Sequence, residues 1–268
     1  MGQDTGVIDD LELAQRAALV GAEIGLRYFA HVRGLPQELK ADGSVVTEAD
    51  RTVEHEVRRV LLDARPEDAF LGEETGEHGR GRRRWILDGI DGTAVFVQGD
   101  RRWQTLIALE EDGRITVGVA VLPARGQMWW ARRGAGAFVA DFDGAVLGEA
   151  RRLAVRDSRE GLSGSGLGIV PPVESLPAAR RDLIEGLASA ARPREWEWAH
   201  AALLVAAGEL DLAVQVGGKV WDYAPLSLIV EEAGGRFGGV GGEGHPVEGT
   251  ALFSRSDDLH RAALALLL

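Results

Sequence analysis

The chain of 268 residues contains no cysteine. That absence excludes disulfides, thiolate nucleophiles, cysteine-ligated zinc and iron–sulfur clusters, all of which need sulfur from the chain. Long apolar runs are missing as well: none reaches the ~20 residues needed to cross a bilayer. The opening stretch MGQDTGVIDDLELAQ is acidic where a secretory leader would be basic and then apolar. A cytoplasmic protein with no membrane partner is expected. Positive charge is scarce too, with 30 basic residues against 42 acidic ones and a net charge of −12. Nucleic-acid binders show the opposite balance, because their affinity comes from neutralising phosphates, so no nucleic-acid partner is expected. Lysine itself is almost absent: of the basic residues only Lys40 and Lys219 are not arginine. A lysine kept against that bias points to a use for its compact ammonium, although chance retention explains either one equally well.

What is present suffices for a core. Hydrophobic residues make up 45% of the chain and charged ones 27%, and at about 150 residues per domain the length fits one large or two small domains. A composition shift near GEARRLAVRDS suggests a soft boundary, giving subdomains 1–149 and 150–268. Apolar residues at helical spacing predict a helix over 9–33, with Asp9 and Asp10 as caps. A second amphipathic helix is predicted after Thr47, ending before Pro66. Between them KADGSVVTEAD reads as a hairpin-like loop. WILDGID is a short strand, and TLIALEEDGRITVGVAVL is two strands joined at Asp-Gly. QMWWARRGAGAFV continues with short strands. Helical spacing returns in ARRDLIEGLASA, AHAALLVAAGELD and WDYAPLSLIVEEAGG, the last stopped by Gly234 and Gly235. LAVQV and ALFS read as strands, and a helix closes the chain from Asp257. Helices and antiparallel hairpins are segregated, which favours α+β layers over a doubly wound sheet.

GVGGEG at 239–244 has the glycine spacing of a dinucleotide fingerprint, but His245 and Pro246 follow where a helix would begin, so a turn is the better reading. The six histidines show no ligand spacing. The acids stand out: Glu73 and Glu74 in FLGEETGE, Asp88 and Asp91 around Ile90 in WILDGIDGT, and Asp222 after Trp221. One Asp-Gly pair is ordinarily a turn. Two carboxylates bracketing a strand end, with a carbonyl between them, instead offer the hard oxygen donors that Mg²⁺ prefers. Gly92 and Thr93 then open a helix whose N–H groups and dipole suit a phosphate. Acids beside an anion site repel unless cations stand between them, which is the arrangement of metal-assisted phosphoryl chemistry.

WILDGIDGTAVFVQG and WDYAPLSLIVEEAGG resemble the two signatures of the inositol monophosphatase family, and LGEE and KADGSVVTEAD match two further blocks in the right order. The resemblance runs from the first helix to Phe253. It implies an α-β-α-β-α sandwich like that of fructose bisphosphatase, a homodimer, and two or three Mg²⁺ ions. It implies that Glu73, Asp88, the Ile90 carbonyl, Asp91 and Asp222 are the metal ligands. By the same resemblance, Thr93 paired with Asp50 activates the attacking water, and Gly92 and Thr93 hold the phosphate. Lys40 lies on a loop over the site, and Glu74 assists around the water.

Three departures stand out. Gly89 replaces the usual proline and is expected to loosen its turn. Gln215 stands where the animal inositol branch has a glutamate. Trp198 stands where the histidinol-phosphate branch has a substrate-binding acid. Asp91, Gln215, Trp198 and Asp222 are the candidate substrate contacts, and Trp196 and Trp198 can stack on a ring or serve as core. The expected function is hydrolysis of a small phosphorylated metabolite, preferably a cyclitol or sugar-like phosphate. Histidinol phosphate and inositol 1-phosphate are alternatives, as is a nucleotide phosphate. A catalytically silent regulatory protein is the rival from another class.

Overall fold

The structure, a computed structural model, describes residues 8–155, 161–195 and 201–267. Helix α1 (Asp10–Phe29) starts at Asp9, whose carboxylate accepts the Leu11 N–H at 2.8 Å. It ends short of the predicted residue 33, and Val32–Gly34 form a 3₁₀ turn instead. The expected hairpin is β1 (Gln37–Leu39) paired antiparallel with β2 (Val45–Thr47). Helix α2 (Glu48–Ala64) begins directly after Thr47 and stops before Pro66, as predicted.

The large sheet begins with β3 (Ala69–Gly72) and β4 (Gly76–His78), which the sequence pattern had not suggested. WILDGID lies within β5 (Arg83–Asp91), which leads into the single-turn helix α3 (Thr93–Phe96). Strands β6 (Gln104–Glu111) and β7 (Arg114–Leu122) form the predicted hairpin. Its tip residues Asp112 and Gly113 both have positive φ, which matches the twist of the flanking strands. Strands β8 (Gln127–Arg132), β9 (Gly136–Asp143), β10 (Val146–Leu147) and β11 (Arg151–Leu153) follow. The order is β10-β9-β8-β7-β6-β5-β3-β4, with β11 also on β9. Among these pairs only β3–β5 is parallel. Position 150 falls between β10 and β11, and β11 still pairs with the large sheet.

The second sheet contains β12 (Gly166–Val170), followed by α4 (Ala178–Ala190), β13 (Arg192–Pro193) and α5 (Ala201–Ala207). Then come β14 (Leu212–Gly218), α6 (Val220–Glu232), β15 (Arg236–Gly239), β16 (Gly249–Ser254) and α7 (Asp257–Leu264). Its order is β13-β12-β14-β16-β15. GVGGEG forms the connection from β15 to β16 and opens no helix.

Strand alternation sorts the side chains into layers. On β6, Ile107 and Leu109 face α1 and α2, whereas Leu106 and Ala108 join the core shared with α5 and α6. On β14, Ala213 faces that shared core, while Leu212, Val214 and Val216 pack with residues of α4 and α7. The layers therefore run α1/α2, large sheet, α5/α6, second sheet, α4/α7, the expected five-layer sandwich. The middle of helix α6, Tyr223–Val230, is buried all round because it is covered on both sides. Its first turn projects into the site.

Candidate active site

The site gathers where β5 ends, α2 and α6 begin, and the β3–β4 turn crosses over. Carboxylate oxygens of Asp88, Asp91 and Asp222 lie within 4.8 Å of one another. A break in the β5–β6 register between Asp88 and Asp91 lets both approach one centre, where strict alternation would oppose them. Gln104 Nε2 donates to Asp91 Oδ2 at 2.6 Å and fixes that carboxylate. Asp222 sits at the third position of α6, where its Oδ2 accepts the Lys219 N–H at 2.7 Å. Burial pushes the carboxyl groups of Asp88 and Asp222 well above the ordinary range. Glu73 and Asp91 add repulsion at Asp88, and Asp91 does so at Asp222. Asp91 is also raised by burial, against the stabilising bonds from Gln104 and the Gly92 N–H.

Asp88 Oδ1 is buried with no hydrogen-bond partner among the described residues. Clustered, desolvated, all-oxygen donors with one orphaned acceptor fit a hard divalent cation. Glu73 is not in this group of three, but its carboxylate is near enough to repel the Asp88 charge. Lys40 Nζ reaches Glu73 Oε1 at 2.8 Å and Glu74 Oε1 at 2.6 Å. Burial pulls the ammonium's pKa down, but the two carboxylates outweigh it and leave the group firmly protonated. Burial raises Glu74, and Lys40 opposes that. Lys219, the other lysine, pairs with Glu248 at 2.5 Å instead.

A second arrangement lies beside the acids. Thr93 Oγ1 donates to Asp50 Oδ1 at 2.7 Å and lies 3.1 Å from the Ile90 carbonyl oxygen. Asp50 is buried, and its Oδ2 accepts both the Thr47 N–H at 2.8 Å and the Thr47 hydroxyl at 2.6 Å. The capping box of α2 therefore aims Asp50 at Thr93. With its proton given to Asp50, the Thr93 oxygen is left with lone pairs free to accept from water. Gly92 has a φ of 86°, which glycine adopts at little cost. α3 has only four residues, so the dipole contribution expected for a phosphate is small, and the Gly92 N–H already bonds the Asp91 carboxylate.

The looseness expected at Gly89 is absent. A Cβ there would lie 3.2 Å from the Asp50 carbonyl oxygen and the Glu54 nitrogen, and the Thr105 hydroxyl holds the Gly89 carbonyl at 2.8 Å. Glycine serves close strand-to-helix packing here rather than mobility. Gln215 is 6% exposed on β14, and its Oε1 has no partner among the described residues. Tyr223, next to Asp222, approaches the Gln215 carbonyl at 3.4 Å and so places that strand end beside the first turn of α6. Trp196 and Trp198 lie outside the described residues. A cavity of about 760 Å³ is lined by Asp100, Arg102, Glu174 and Arg194 among others. The backbone of Arg102 in its wall backs onto Gly92. Sequence reasoning did not single out Gln104 or Glu54; their partners lie 13 and 20 or more residues away.

A layered sandwich with an acidic cluster at a strand end and an Asp–Thr pair beside it has the site architecture of a phosphomonoesterase. The chain belongs to the inositol monophosphatase family, whose model matches residues 9–266. It is 40% identical over 245 residues to a histidinol-phosphatase of Mycobacterium tuberculosis, covering 91% of this chain and 92% of that protein. It is 33% identical over 243 residues to an inositol-1-monophosphatase of Rhizobium meliloti, covering 88% and 87%. An inositol monophosphatase structure from Zymomonas mobilis superposes with a TM-score of 0.79 at 30% identity, covering 98% of this chain and 99% of that one. The protein is a phosphatase. Among the described residues no helix is long and apolar enough to cross a membrane.

Proposed function

We propose that the protein hydrolyses the phosphate monoester of a small polyol, preferably a cyclitol or sugar-like phosphate, with Mg²⁺ held by Glu73, Asp88, the Ile90 carbonyl, Asp91 and Asp222. The observation that carries this reading is the juxtaposition of the Asp88–Asp91–Asp222 cluster with the Thr93–Asp50 hydrogen bond. When bound, Mg²⁺ supplies Lewis acidity toward phosphoryl oxygens and water. The chain's own part is positional. Thr93 accepts a hydrogen bond from the attacking water, and Asp50 draws the Thr93 proton toward itself, so the water oxygen is oriented with its lone pair toward phosphorus. The N–H groups of Gly92 and Thr93 take the phosphate, that of Gly92 shared with the Asp91 carboxylate. Lys40 balances Glu73 and Glu74 at the rim.

On the leaving-alcohol side, the Gln215 Oε1 is a neutral buried acceptor suited to a hydroxyl donor, and the cavity behind Gly92 has room for a ring. Histidinol phosphate is the second reading, supported by the 40% identity to a histidinol-phosphatase. Ranking inositol, hexose, other cyclitol and histidinol phosphates by kcat/KM with Mg²⁺ tests both. The polyol reading expects cyclitol or sugar phosphates at the top. Histidinol phosphate ahead of them by tenfold or more would replace it with the second reading.

A further inference from the structure

A carboxylate with no part in the reaction holds the turn that carries Glu73 and Glu74 from behind. Glu54 lies one helical turn after Asp50 on α2 and is 0% exposed. Its Oε2 accepts the Glu74 N–H at 2.9 Å, and its Oε1 accepts the Thr75 N–H at 2.7 Å. The residue before the turn must leave room for this carboxylate. A Cβ on Gly72 would stand 2.3 Å from Glu54 Oε1 and 2.8 Å from the Phe70 ring. Two residues of one helix, four apart and so on one face, therefore hold two separate parts of the site: Asp50 takes Thr93, and Glu54 takes the Glu73–Glu74 turn.

We propose that Glu54 is a positioning residue: through the 73–75 turn it sets the aim of the Glu73 carboxylate at the divalent-ion site. This rests on the reading of Glu73, Asp88, Asp91 and Asp222 as the metal-holding set. The choice of glutamate follows from hydrogen-bond chemistry. Two backbone donors each need an acceptor oxygen, and only a carboxylate presents acceptors at both ends. Glutamine at 54 would turn an NH₂ group against one of the two N–H groups and leave a buried donor unpaired. Because the turn is short and Glu73 follows Gly72 directly, a shift of the turn moves the Glu73 carboxylate with it. Partners standing behind metal ligands commonly change metal affinity by about 10–100-fold when altered.

Calorimetric titration of Mg²⁺ into the EDTA-stripped full chain tests this, with thermal melting in parallel. Glu54→Gln is expected to melt cooperatively yet bind Mg²⁺ about tenfold or more weakly. Raising Mg²⁺ should restore much of its kcat. Gly72→Ala pushes the same carboxylate from the other side and should weaken Mg²⁺ binding in the same sense. It carries the test if Glu54→Gln does not fold. The double variant should lose less than the product of the single losses, because both act on one contact. Wild-type Mg²⁺ affinity in these folded variants, with only a lowered melting temperature, would reduce Glu54 to a structural residue and overturn the proposal. Absence of Mg²⁺ binding by the wild-type protein would instead overturn the metal-site reading on which the proposal depends.

Discussion

The half of the site built by α2, β5, the β3–β4 turn, the β1–β2 loop and the first turn of α6 differs from the half built by β14 and the cavity behind Gly92. In the first, Asp50, Glu54, Asp91 and Asp222 each have an oxygen fixed by a named donor, and Thr93 and Lys40 are held in turn. Asp88 Oδ1 there has no partner among the described residues, which suits a cation. In the second, Gln215 keeps a buried acceptor without a partner among the described residues, and acids and arginines of mixed sign line the cavity. Chemistry common to many esters needs atoms fixed in advance, because preorganisation lowers the barrier. On the proposed reading, choice of alcohol needs acceptors left open for the ligand. The contrast teaches that one half can be read as reaction type and the other only as a range of substrates.

The largest effect should come from breaking the fixed half. Removing divalent metal with EDTA is expected to abolish phosphate release and added Mg²⁺ to restore it, with Ca²⁺ a poor substitute because Mg²⁺ demands stricter octahedral geometry. Asp91→Asn should lose most activity while folding normally; wild-type kcat in that variant would disprove the ligand assignment.

A smaller loss is expected one contact further out. Thr93→Ala should lower kcat by about 10²–10⁴-fold with less change in KM, since it removes a group that orients water and leaves the backbone N–H groups in place. Asp50→Ala should match it, and the double variant should be little worse than either. Steady-state kinetics of the three variants decide this, and fully multiplicative losses would separate the two residues.

The open half should respond in preference rather than in rate. Gln215→Glu is expected to change the ranking of phosphate esters by kcat/KM by about 10-fold, with Mg²⁺ affinity little changed. An unaltered ranking would remove Gln215 from the alcohol site.

The smallest effect concerns stability without metal. Burial, then neighbouring acids, raise Asp88 and Asp222 above their unfolded values. The folded chain therefore holds protons that the unfolded chain has lost. Stability contributed by these groups is present at low pH and falls as pH rises from the unfolded carboxylate range, about 4, through the raised values. In EDTA, Asp88→Asn should melt higher than wild type at pH 8, by about 2–4 °C per kcal/mol relieved, and the gap should narrow toward pH 4. A gap that widens on acidification would reverse the sign of the argument.

Most helices, the β6–β7 hairpin and the identity of the clustered acids were legible in the residues, because periodicity, caps and Asp-Gly turns are local signals. Strands β3, β4, β12 and β15 were not, being three to five residues long and defined by pairing. Gly89 was misread as loosening its turn because its tight neighbours come from α2 and β6. The dipole assigned to α3 was overstated, since nothing local showed that the helix stops after one turn.

Sequence alone determined which donor atoms exist: oxygens and no thiolates, an acidic surplus, two lysines, and carboxylates spaced around a strand end. Tertiary structure decided what those atoms meet. It set Asp88 and Asp91 on one centre through a break in register, brought Asp222 to them from more than 130 residues away, and removed the cluster from water enough to raise all three carboxyl groups. It also turned Glu54, unremarked in the sequence, into the support of the Glu73 turn. The physical reason is that donor type is a property of a residue. Desolvation and hydrogen-bond partnership are properties of a place, and a place exists only after sheets and helices have packed.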